Sequence, residues 1–353
     1  MKNIERYTVN HKLNIRHAVK SINESGVGFA VVVDGKNKVI GVITDGDFRR
    51  AILNGVDLNE SVLKITNKTF EYVQSGFSRG EAINLLKSGK IEFLPVLEKS
   101  KLIDILREED IREITSKSFS AKKINLPVII MAGGKGTRLE PFTKILPKPL
   151  IPIGDKSIME IIMDEYAKYG MTNFYLSLFY KANMIKSYME YLESDYKIEY
   201  IHELKPLGTA GALKYLEGKL NTPFFVSNCD IIIKENYNKI FGFHKNGNFM
   251  LTMVTAMRHV SIPYGVCDLH KNGTLKKINE KPELDFLINS GMYILDPKAL
   301  EYIPKDTLFD FTDLIRCITD RNLKVGVYPV TEDAYIDIGQ WAEYKKAVSI
   351  LQV

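Results

Sequence analysis

The sequence has few cysteines, a single tryptophan and no long apolar run. Its three cysteines, Cys229, Cys267 and Cys317, show neither CxxC spacing nor a paired framework. This excludes a disulfide-rich scaffold and favours free thiols in a reducing compartment. The first twenty residues carry polar and charged side chains throughout, so they do not resemble a secretory signal, and no apolar run is long enough to cross a bilayer. We therefore expect a cytoplasmic protein that has no membrane partner.

The chain also lacks a strong charge of one sign. Its 48 Lys and Arg residues nearly balance its 43 Asp and Glu residues, and the net charge of +5 is spread along the sequence. No element clusters basic and aromatic residues in the way that RNA-binding surfaces do, so we expect no nucleic-acid partner. A site for anionic small molecules accounts equally well for the small excess of positive charge.

The chain does contain enough apolar sequence for about two globular domains, with 353 residues of which 45% are hydrophobic. Residues 115–123 are polar, small and basic, and the hydrophobic pattern changes across them. We predict one domain over residues 1–116, a linker over residues 117–124 and a second domain over residues 125–353.

A weak internal repeat runs through the first half of the chain. Each copy has a segment with helical apolar spacing, then an apolar strand, then a second strand that leads into a helix. The matching segments are 17–22 with 79–86, 29–33 with 93–97, and 39–47 with 102–110. The repeat predicts two copies of a small α/β unit.

The second half alternates predicted strands with helices, as an α/β sheet requires. Residues 126–131 form a nearly continuous apolar run that leads into glycines, which predicts a buried strand. Ser157 and Glu160 form a capping-box pattern that opens a helix, and Gly170 can close it. Further strands are predicted at residues 174–178, 198–202, 224–227 and 250–256, with a hairpin through Asn272-Gly273 that joins residues 266–269 to 275–278. We expect the sheet to be mixed.

A glycine-rich loop, Gly133-Gly134-Lys135-Gly136-Thr137-Arg138, follows the first strand of this second half directly. Three glycines in four positions allow consecutive backbone N–H groups to converge on a phosphate oxygen, so the loop is predicted to hold a triphosphate. The spacing fits neither a Walker A loop nor the Rossmann fingerprint, because Leu139 stands where the third glycine would be. A tight strand-to-helix turn is the alternative interpretation of the glycines alone.

Two basic and two acidic side chains could complete such a site. Arg138 can offer a planar fork to β- and γ-phosphate oxygens, and Lys148 is a point charge with a proline on either side to restrain its backbone. Asp230 and Asp337 each end an apolar strand, where ligands of open α/β sheets gather, so both could hold a hard cation such as Mg²⁺. The alternative role for either aspartate is to cap the following turn.

Taken together, these segments resemble the signature of nucleoside-diphosphate-sugar pyrophosphorylases, from about residue 126 to the C-terminus. The segments that match this family in the expected order are 131–141, 147–150, 207–211, Asp230, 264–266, 280–282, 289–291 and Asp337. The resemblance implies a Rossmann-like, GT-A-like nucleotidyltransferase fold on a mixed α/β sheet. It also implies an enzyme that joins a nucleoside triphosphate to a sugar 1-phosphate and releases pyrophosphate.

The resemblance further implies which side chains are catalytic. Arg138 would hold the triphosphate, Lys148 would stabilise charge on the reacting α-phosphate, and Asp230 with Asp337 would share Mg²⁺. One departure from the family is Cys229, which replaces a common glycine before the metal-binding aspartate. We expect this cysteine to narrow the space beside the metal.

The same resemblance implies the residues that contact the nucleoside and the sugar. The nucleotide is expected to contact Ala132, Gly133, Gly134, Gly136, Thr137, Gly208 and Thr209. Glu280 and Asn289 resemble ligands of the sugar hydroxyls, and Lys281 resembles the residue that faces the sugar phosphate. Without the family, Glu280 and Lys281 are simply the exposed end of a hairpin.

In the first half, residues 41–47 resemble the nucleotide-binding motif of CBS domains, and residues 1–114 resemble one tandem CBS pair. In that family the threonine and the final aspartate of the motif bind a ribose, and here these residues are Thr44 and Asp47. The resemblance implies a regulatory adenine nucleotide at these two side chains and a homo-oligomer. The alternative is a dimerisation platform that binds no ligand.

The second CBS copy is degenerate, so we expect one functional ligand site or none. Asp104 stands in place of the motif's glycine and Arg107 in place of its threonine, although Asp110 remains. A ribose site that lacks the threonine hydroxyl loses one of its hydrogen-bonding groups.

Base choice rests on a few pocket contacts that a single sequence does not fix. A CBS pair fused to this signature, with the run 147–154, most resembles the glucosamine-1-phosphate guanylyltransferases that open a bacterial legionaminic acid pathway. This resemblance implies GTP and glucosamine 1-phosphate as substrates and GDP-glucosamine as product. Uridylyl- and thymidylyltransferases share the same motifs, and a sensor that binds nucleotide without turnover is a further alternative.

Overall fold

The computed structural model describes residues 4–25, 28–87, 91–107, 123–192 and 194–351. The chain divides into two compact units, residues 1–120 and 121–353, and each unit has its own buried clusters of apolar side chains. Most of the predicted linker, and Asp110 of the second repeat, lie outside the described residues, so both remain predictions. Within the described residues, no helix combines the length and apolarity needed to span a bilayer.

The first unit contains two three-stranded sheets of similar construction. In each sheet a short strand runs parallel to a central strand, and the central strand forms an antiparallel hairpin with the third. The strands are β1 (Thr8–Asn10), β2 (Phe29–Val33) and β3 (Val39–Thr44) in the first sheet, and β4 (Val73–Gln74), β5 (Phe93–Glu98) and β6 (Lys101–Arg107) in the second. The helices are α1 (Ile15–Ser25), α2 (Asp45–Leu53) and α3 (Arg79–Lys87). This order agrees with the repeat predicted from the sequence as far as β6, and the helix predicted after β6 lies outside the described residues.

The second unit is built on a seven-stranded mixed sheet in the order β11-β10-β7-β12-β17-β14-β18. Its strands are β7 (Val128–Met131), β10 (Asn173–Leu178), β11 (Lys197–His202), β12 (Phe224–Asn228), β14 (Leu251–Ser261), β17 (Glu283–Leu295) and β18 (Val325–Val330). The first four strands run parallel, and β17 is antiparallel to both β12 and β14. The prediction of a mixed α/β sheet is confirmed.

Helices and short strands surround this sheet. The helices are α4 (Phe142–Ile145), α5 (Ile158–Ala167), α6 (Ala182–Tyr191), α7 (Tyr237–Gly247), α8 (Phe311–Thr319) and α9 (Trp341–Leu351). The short strands form three two-stranded pairs, β8 (Pro152–Ile153) with β9 (Lys156–Ser157), β13 (Ile231–Ile233) with β19 (Tyr335–Asp337), and β15 (Val266–Leu269) with β16 (Leu275–Asn279). The last pair is the hairpin predicted from Asn272-Gly273.

Both faces of the sheet are covered, and strand β7 shows why its sequence is apolar throughout. Val128 and Ile130 pack into the core on one face, whereas Ile129 and Met131 pack into the core on the other. Successive side chains of a strand point to opposite faces, so a strand buried on both sides needs an unbroken apolar run. The glycine loop therefore begins at the end of a firmly anchored central strand.

Helix α5 begins at the predicted capping box. The backbone N–H of Glu160 donates to Ser157 Oγ at 3.2 Å, and the N–H of Ser157 donates to Glu160 Oε2 at 2.8 Å. Past the end of the helix, Gly170 has a φ of +83°, a left-handed conformation that favours glycine. Local sequence thus sets both ends of this helix.

Strand β17 is absent from the sequence-based expectations, although it pairs with two neighbours along its length. Leu284, Phe286 and Leu287 in its first half are exposed, so the strand has no simple alternation of polar and apolar residues there. Strand β14 likewise extends to Ser261, beyond the predicted end at residue 256. Pairing between these two strands, and not burial, sets their length.

Candidate active site

A polar cavity of about 360 Å³ opens at the edge of the sheet where the parallel strands end. Five of the residues singled out from the sequence line it, namely Arg138, Thr209, Asp230, Asn289 and Asp337. They come from the loop after β7, the segment after β11, the end of β12, strand β17 and strand β19. A concave site with a few converging polar groups is the usual form of a ligand site.

The glycine loop and Lys148 approach each other closely, and Gly136 makes this possible. Gly136 has a φ of +65°, and a Cβ at this position would lie 2.9 Å from the Cβ of Lys148 and 3.0 Å from Cγ2 of Thr143. Any side chain there would push the loop away from the lysine. The loop continues into a 3₁₀ turn at Thr137–Leu139 and not directly into an α-helix, and the Arg138 side chain that follows the glycines is exposed.

Lys148 is buried, with 7% of its surface exposed, and its ammonium group donates a hydrogen bond to Asp230 Oδ2. A buried ammonium group needs such a partner, because an unpaired charge is costly away from water. Arg138 differs, because it makes no ion pair with any residue that the structure describes. The site thus combines one fixed, paired cation with one cation that is available to an anionic ligand.

Asp230 and Asp337 are brought together by the pairing of β13 with β19. The backbone N–H of Ile338 donates to the carbonyl oxygen of Asp230 at 2.8 Å, and the N–H of Gly339 donates to Asp337 Oδ1 at 2.6 Å. A Cβ on Gly339 would lie 2.8 Å from Asp337 Oδ1, 3.3 Å from Asp230 Oδ2 and 3.4 Å from Lys148 Nζ. Two carboxylates and one ammonium group therefore meet around this glycine.

The electrostatics of this cluster favour a cation. Burial raises the pKa of Asp337, and the nearby charge of Asp230 raises it further, although the N–H of Gly339 and the charge of Lys148 oppose this rise. Two neighbouring carboxylates that face a polar cavity fit a hard divalent ion, which prefers oxygen ligands. Asp230 and Asp337 would hold Mg²⁺ here. Among the described residues, no three His, Cys, Asp or Glu side chains are grouped closely enough to hold a metal ion.

Cys229 does not have the effect expected from the sequence. Its side chain packs in the hydrophobic core and does not line the cavity, so this departure from glycine does not narrow the site. Alternation along the strand end explains the difference, because Asn228 and Asp230, on either side of the cysteine, do line the cavity. Burial raises the pKa of the Cys229 thiol to about 12, which keeps it neutral.

The predicted nucleoside wall, Gly208 and Thr209, is fastened to the start of helix α8. The backbone N–H and the hydroxyl of Thr209 donate to Asp310 Oδ1 at 2.8 and 3.0 Å, and Thr209 Oγ1 accepts from the N–H of Phe311 at 3.0 Å. Gly208 has a φ of +77°, and a Cβ there would lie 2.7 Å from the same Asp310 oxygen. These contacts fix the wall before any ligand binds.

Glu203 lies in this region, although no sequence motif points to it. Its Oε1 accepts from Ser177 Oγ at 2.7 Å, and its Oε2 accepts from the N–H of Leu207 at 3.1 Å. A Cβ on Gly133 would lie 2.7 Å from Oε1, so the carboxylate borders the glycine loop. The available signal was its position directly after strand β11, at the same sheet edge as Asp230.

The three predicted sugar ligands are not all at the cavity. Asn289 lines it, and its Nδ2 donates to the Tyr293 hydroxyl at 2.6 Å while its Oδ1 accepts from the N–H of Gly291 at 3.0 Å. Glu280 and Lys281 lie between β16 and β17, are exposed, and are not among the residues that line the cavity. Their roles remain predictions.

In the first unit, Thr44 and Asp47 form the capping box of helix α2. The N–H and the hydroxyl of Thr44 donate to Asp47 Oδ2 at 2.9 and 2.8 Å, and Arg50 donates to the other oxygen, Oδ1, at 2.5 Å. Helix capping accounts for both residues without a ligand. Their role in ribose binding remains a prediction.

The fold and the cavity define an α/β protein with a polar, charged site at the carboxyl ends of parallel strands. The chain belongs to the nucleotidyl transferase family, because the model of that family matches residues 127–352. The model of the CBS domain matches residues 3–54. The fusion inferred from the sequence motifs is therefore confirmed for the first CBS copy.

Curated relatives and solved structures agree with this family. The chain is 37% identical over 185 residues to the mannose-1-phosphate guanyltransferase of Yarrowia lipolytica, which covers 50% of each protein. It is 37% identical over 234 residues to mannose-1-phosphate guanylyltransferase catalytic subunit beta of Dictyostelium discoideum, which covers 64% of each. The chain thus spans about half to two thirds of the length of these relatives.

Among solved structures, HddC from Yersinia pseudotuberculosis is similar with a TM-score of 0.51 and 30% identity. The match covers 64% of this chain and 99% of HddC. The structure of HddC complexed with GMP-PN matches with a TM-score of 0.50 and 28% identity, over the same shares of the two chains.

Proposed function

We propose that this protein transfers a guanylyl group from GTP to a sugar 1-phosphate and releases pyrophosphate. The observation that carries the proposal is the convergence of Lys148, Asp230 and Asp337 around Gly339. Both aspartates line the cavity, as does Arg138. Two cations and two carboxylates at one edge can hold a polyanion together with a divalent ion. The family assignment supports this chemistry.

The reaction is a displacement at the α-phosphorus of the nucleotide. A phosphate oxygen of the sugar phosphate forms the new P–O bond, and the bond to the pyrophosphate group breaks. A phosphate monoester carries about −1.5 to −2 charge at neutral pH, so its oxygen needs no general base to become a nucleophile. Orientation and charge stabilisation are therefore the main tasks of the protein.

The basic side chains of the site fit these tasks. Arg138 can bind two phosphate oxygens at once, and Lys148 supplies a point charge near the reacting phosphate. Both offset the repulsion between the two anionic substrates. Mg²⁺ held by Asp230 and Asp337 would supply Lewis-acid stabilisation of the phosphate charge and a template for the triphosphate.

Glu203 supports guanine as the base. Its carboxylate borders the glycine loop next to the nucleoside wall and keeps lone pairs beyond its two hydrogen bonds. Guanine offers two adjacent N–H groups to such an acceptor, whereas uracil and thymine offer one N–H group flanked by carbonyl oxygens that a carboxylate repels. The GMP-PN complex of HddC and the names of the guanyltransferase relatives point the same way. Transfer from UTP or dTTP is the alternative.

The sugar is proposed on resemblance. Glucosamine 1-phosphate, with GDP-glucosamine as product and legionaminic acid as the end of the pathway, follows from the fusion with CBS sequence. Mannose 1-phosphate is the competing substrate, since the curated relatives carry it in their names. Asn289 is the predicted sugar ligand that lines the cavity.

The first unit is proposed to regulate the enzyme. An adenine nucleotide at Thr44 and Asp47 would have to displace or share the bonds of the capping box, so binding is expected to alter the start of helix α2. We also propose a homo-oligomer and a cytoplasmic location, and both proposals rest on the sequence alone. Kinetics with and without AMP or ATP, with calorimetry, would test the ligand.

Pyrophosphate release tests the main proposal. The assay contains Mg²⁺ and pairs each of GTP, UTP, dTTP, CTP and ATP with glucosamine 1-phosphate and with mannose 1-phosphate. Turnover that requires GTP is expected, and the product is identified by mass spectrometry. Preference for UTP or dTTP would keep the reaction and reject guanine. Absence of turnover with every pair would reject the proposed activity for these sugars.

A further inference from the structure

The segment between the glycine loop and Lys148 is anchored near its two ends by buried Leu139 and Pro147, but its middle has little apolar burial. Helix α4 within it has four residues, and its Phe142 and Ile145 are 44% and 75% exposed. A helix of one turn has almost no stability of its own in water. This segment joins Arg138 to Lys148, so contacts from other elements must hold it for the two cations to keep their positions.

Lys181, at the start of helix α6, makes three such contacts. Its Nζ donates to the carbonyl oxygens of Thr143, Lys144 and Ile145 at 3.2, 2.6 and 2.7 Å. An ammonium group has three N–H donors, so all of them are used. The last carbonyl groups of a helix lack partners within the helix and carry partial negative charge, which a cation stabilises.

The contacts of Lys181 lead directly to the glycine loop. Cγ2 of Thr143, whose carbonyl Lys181 binds, would lie 3.0 Å from a Cβ on Gly136. On the other side, the N–H of Tyr180 approaches the carbonyl oxygen of Gly133 at 3.4 Å. Lys181 itself has a φ of +50°, an unusual conformation for a residue other than glycine that persists only where surrounding contacts fix it.

Trp341 holds the same segment from the opposite end. Its indole Nε1–H donates to the carbonyl oxygen of Glu140 at 2.8 Å, and its ring packs edge-on against Phe142 with a centroid distance of 4.8 Å. This residue is the single tryptophan of the chain, so its fluorescence reports on the segment.

We propose that Lys181 is a positioning residue of the phosphate site. By binding three carbonyl groups of α4, it fixes the segment that carries Arg138 on one side and Lys148 on the other. Loss of the ammonium group would leave the fold intact and weaken the binding of polyphosphate. The kinetic consequence rests on the proposed transferase activity, whereas the binding consequence does not.

The test compares Lys181→Met, Lys181→Arg and Lys186→Met in the full chain. Lys186 lies on the same helix, 3.8 Å from Glu190, and is the matched control. Each protein is titrated with inorganic tripolyphosphate in the presence of Mg²⁺, and binding is followed by calorimetry and by Trp341 fluorescence. We expect Lys181→Met to raise Kd and lower kcat/KM for the nucleotide by about tenfold or more, because small displacements of binding groups have large effects. Lys181→Arg, which keeps a cationic donor, should restore most of the loss.

Tripolyphosphate binding by Lys181→Met that equals wild type, or that is weakened no more than in Lys186→Met, would overturn the proposal. If Lys181→Met does not fold, a Lys181→Arg protein with wild-type Tm and unrestored binding would overturn it equally. If Lys181→Met weakens tripolyphosphate binding but wild type turns over no substrate pair, the proposed activity fails and the positioning role stands.

Discussion

The two units of the chain use aspartates that follow strands in opposite ways. In the first unit, Asp47 lies in the first turn of helix α2, where one of its oxygens accepts from the N-cap residue Thr44 and the other from Arg50 of the same helix. In the second unit, Asp337 faces another carboxylate, Asp230, and burial raises its pKa. The hydrogen bonds of Asp47 are accounted for by its own helix, whereas two neighbouring carboxylates at a polar cavity fit the proposed binding of a divalent cation.

The arginines show the same contrast. Arg50 is paired with Asp47, three residues before it on the same helix. Arg138 has no ion-pair partner in the described part of the chain and lines the cavity. Pairing within a helix contributes a few tenths of a kcal/mol to stability, whereas an unpaired cation in a cavity is available for an anionic ligand.

The largest effect should come from removing one charge from each unit in turn. Asp230→Asn should lower kcat by about 10² to 10³-fold, as loss of a charge-stabilising group does, while Asp47→Asn should leave turnover unchanged without adenine nucleotide. Pyrophosphate release at saturating substrates measures both. Equal losses of kcat in the two variants would contradict the distinction between an active-site aspartate and a helix-capping aspartate.

The next largest effect should be a difference between the two units in how acid changes their stability. His244 is 3% exposed, its Nδ1 lies 2.9 Å from Thr252 Oγ1, and burial lowers its pKa from 6.5 to about 4. Between these values the unfolded state takes up a proton that the folded state does not. The second unit should therefore lose about 3 kcal/mol of stability as pH falls from 6.5 to 4.

Urea unfolding followed by Trp341 fluorescence measures this loss. His244→Gln should reduce the dependence of the free energy of unfolding on pH. The control is His202→Gln, at an exposed position, which should keep this dependence. Among the described residues of the first unit no histidine is buried, so a transition of that unit should not share this slope. If the free energy of unfolding of His244→Gln depends on pH as in wild type, the loss of stability in acid does not come from His244.

A smaller effect is expected on base choice. Glu203→Gln should lower kcat/KM for GTP by about tenfold to thirtyfold, because a charge-assisted hydrogen bond becomes a neutral one, and should improve UTP relative to GTP. Glu199→Gln, an exposed change on strand β11, which directly precedes Glu203, is the control. Selectivity that is unchanged in Glu203→Gln would remove this residue from the base site.

The smallest effect concerns the cap of the first unit. Thr44→Ala should cost about 1 kcal/mol, as loss of an N-cap does, and lower the Tm of that unit by about 4–8 °C. Differential scanning calorimetry should show the second unit unfolding at its wild-type temperature. A lower unfolding temperature for the second unit alone would contradict the role of Thr44 as a helix cap in the first unit.

Several features were predictable because they depend on neighbours in the sequence. The capping box of α5, the hairpin at Asn272-Gly273 and the buried strand β7 all follow from side chains a few residues apart. The glycine loop was predictable for the same reason. Strand β17 was not, because its exposed half is held by β14, a strand distant in sequence.

Some features of the site also follow from nearby residues in the sequence, whereas others depend on the tertiary structure. Sequence motifs were enough to identify the family, and they predict the loop for the phosphates and the charged residues Arg138, Lys148, Asp230 and Asp337. Tertiary structure decided that the two aspartates meet at Gly339, that Cys229 turns into the core, and that Glu203 borders the loop. Each of these depends on strands that pair across long stretches of chain, and such pairing is set by the packing of the whole sheet.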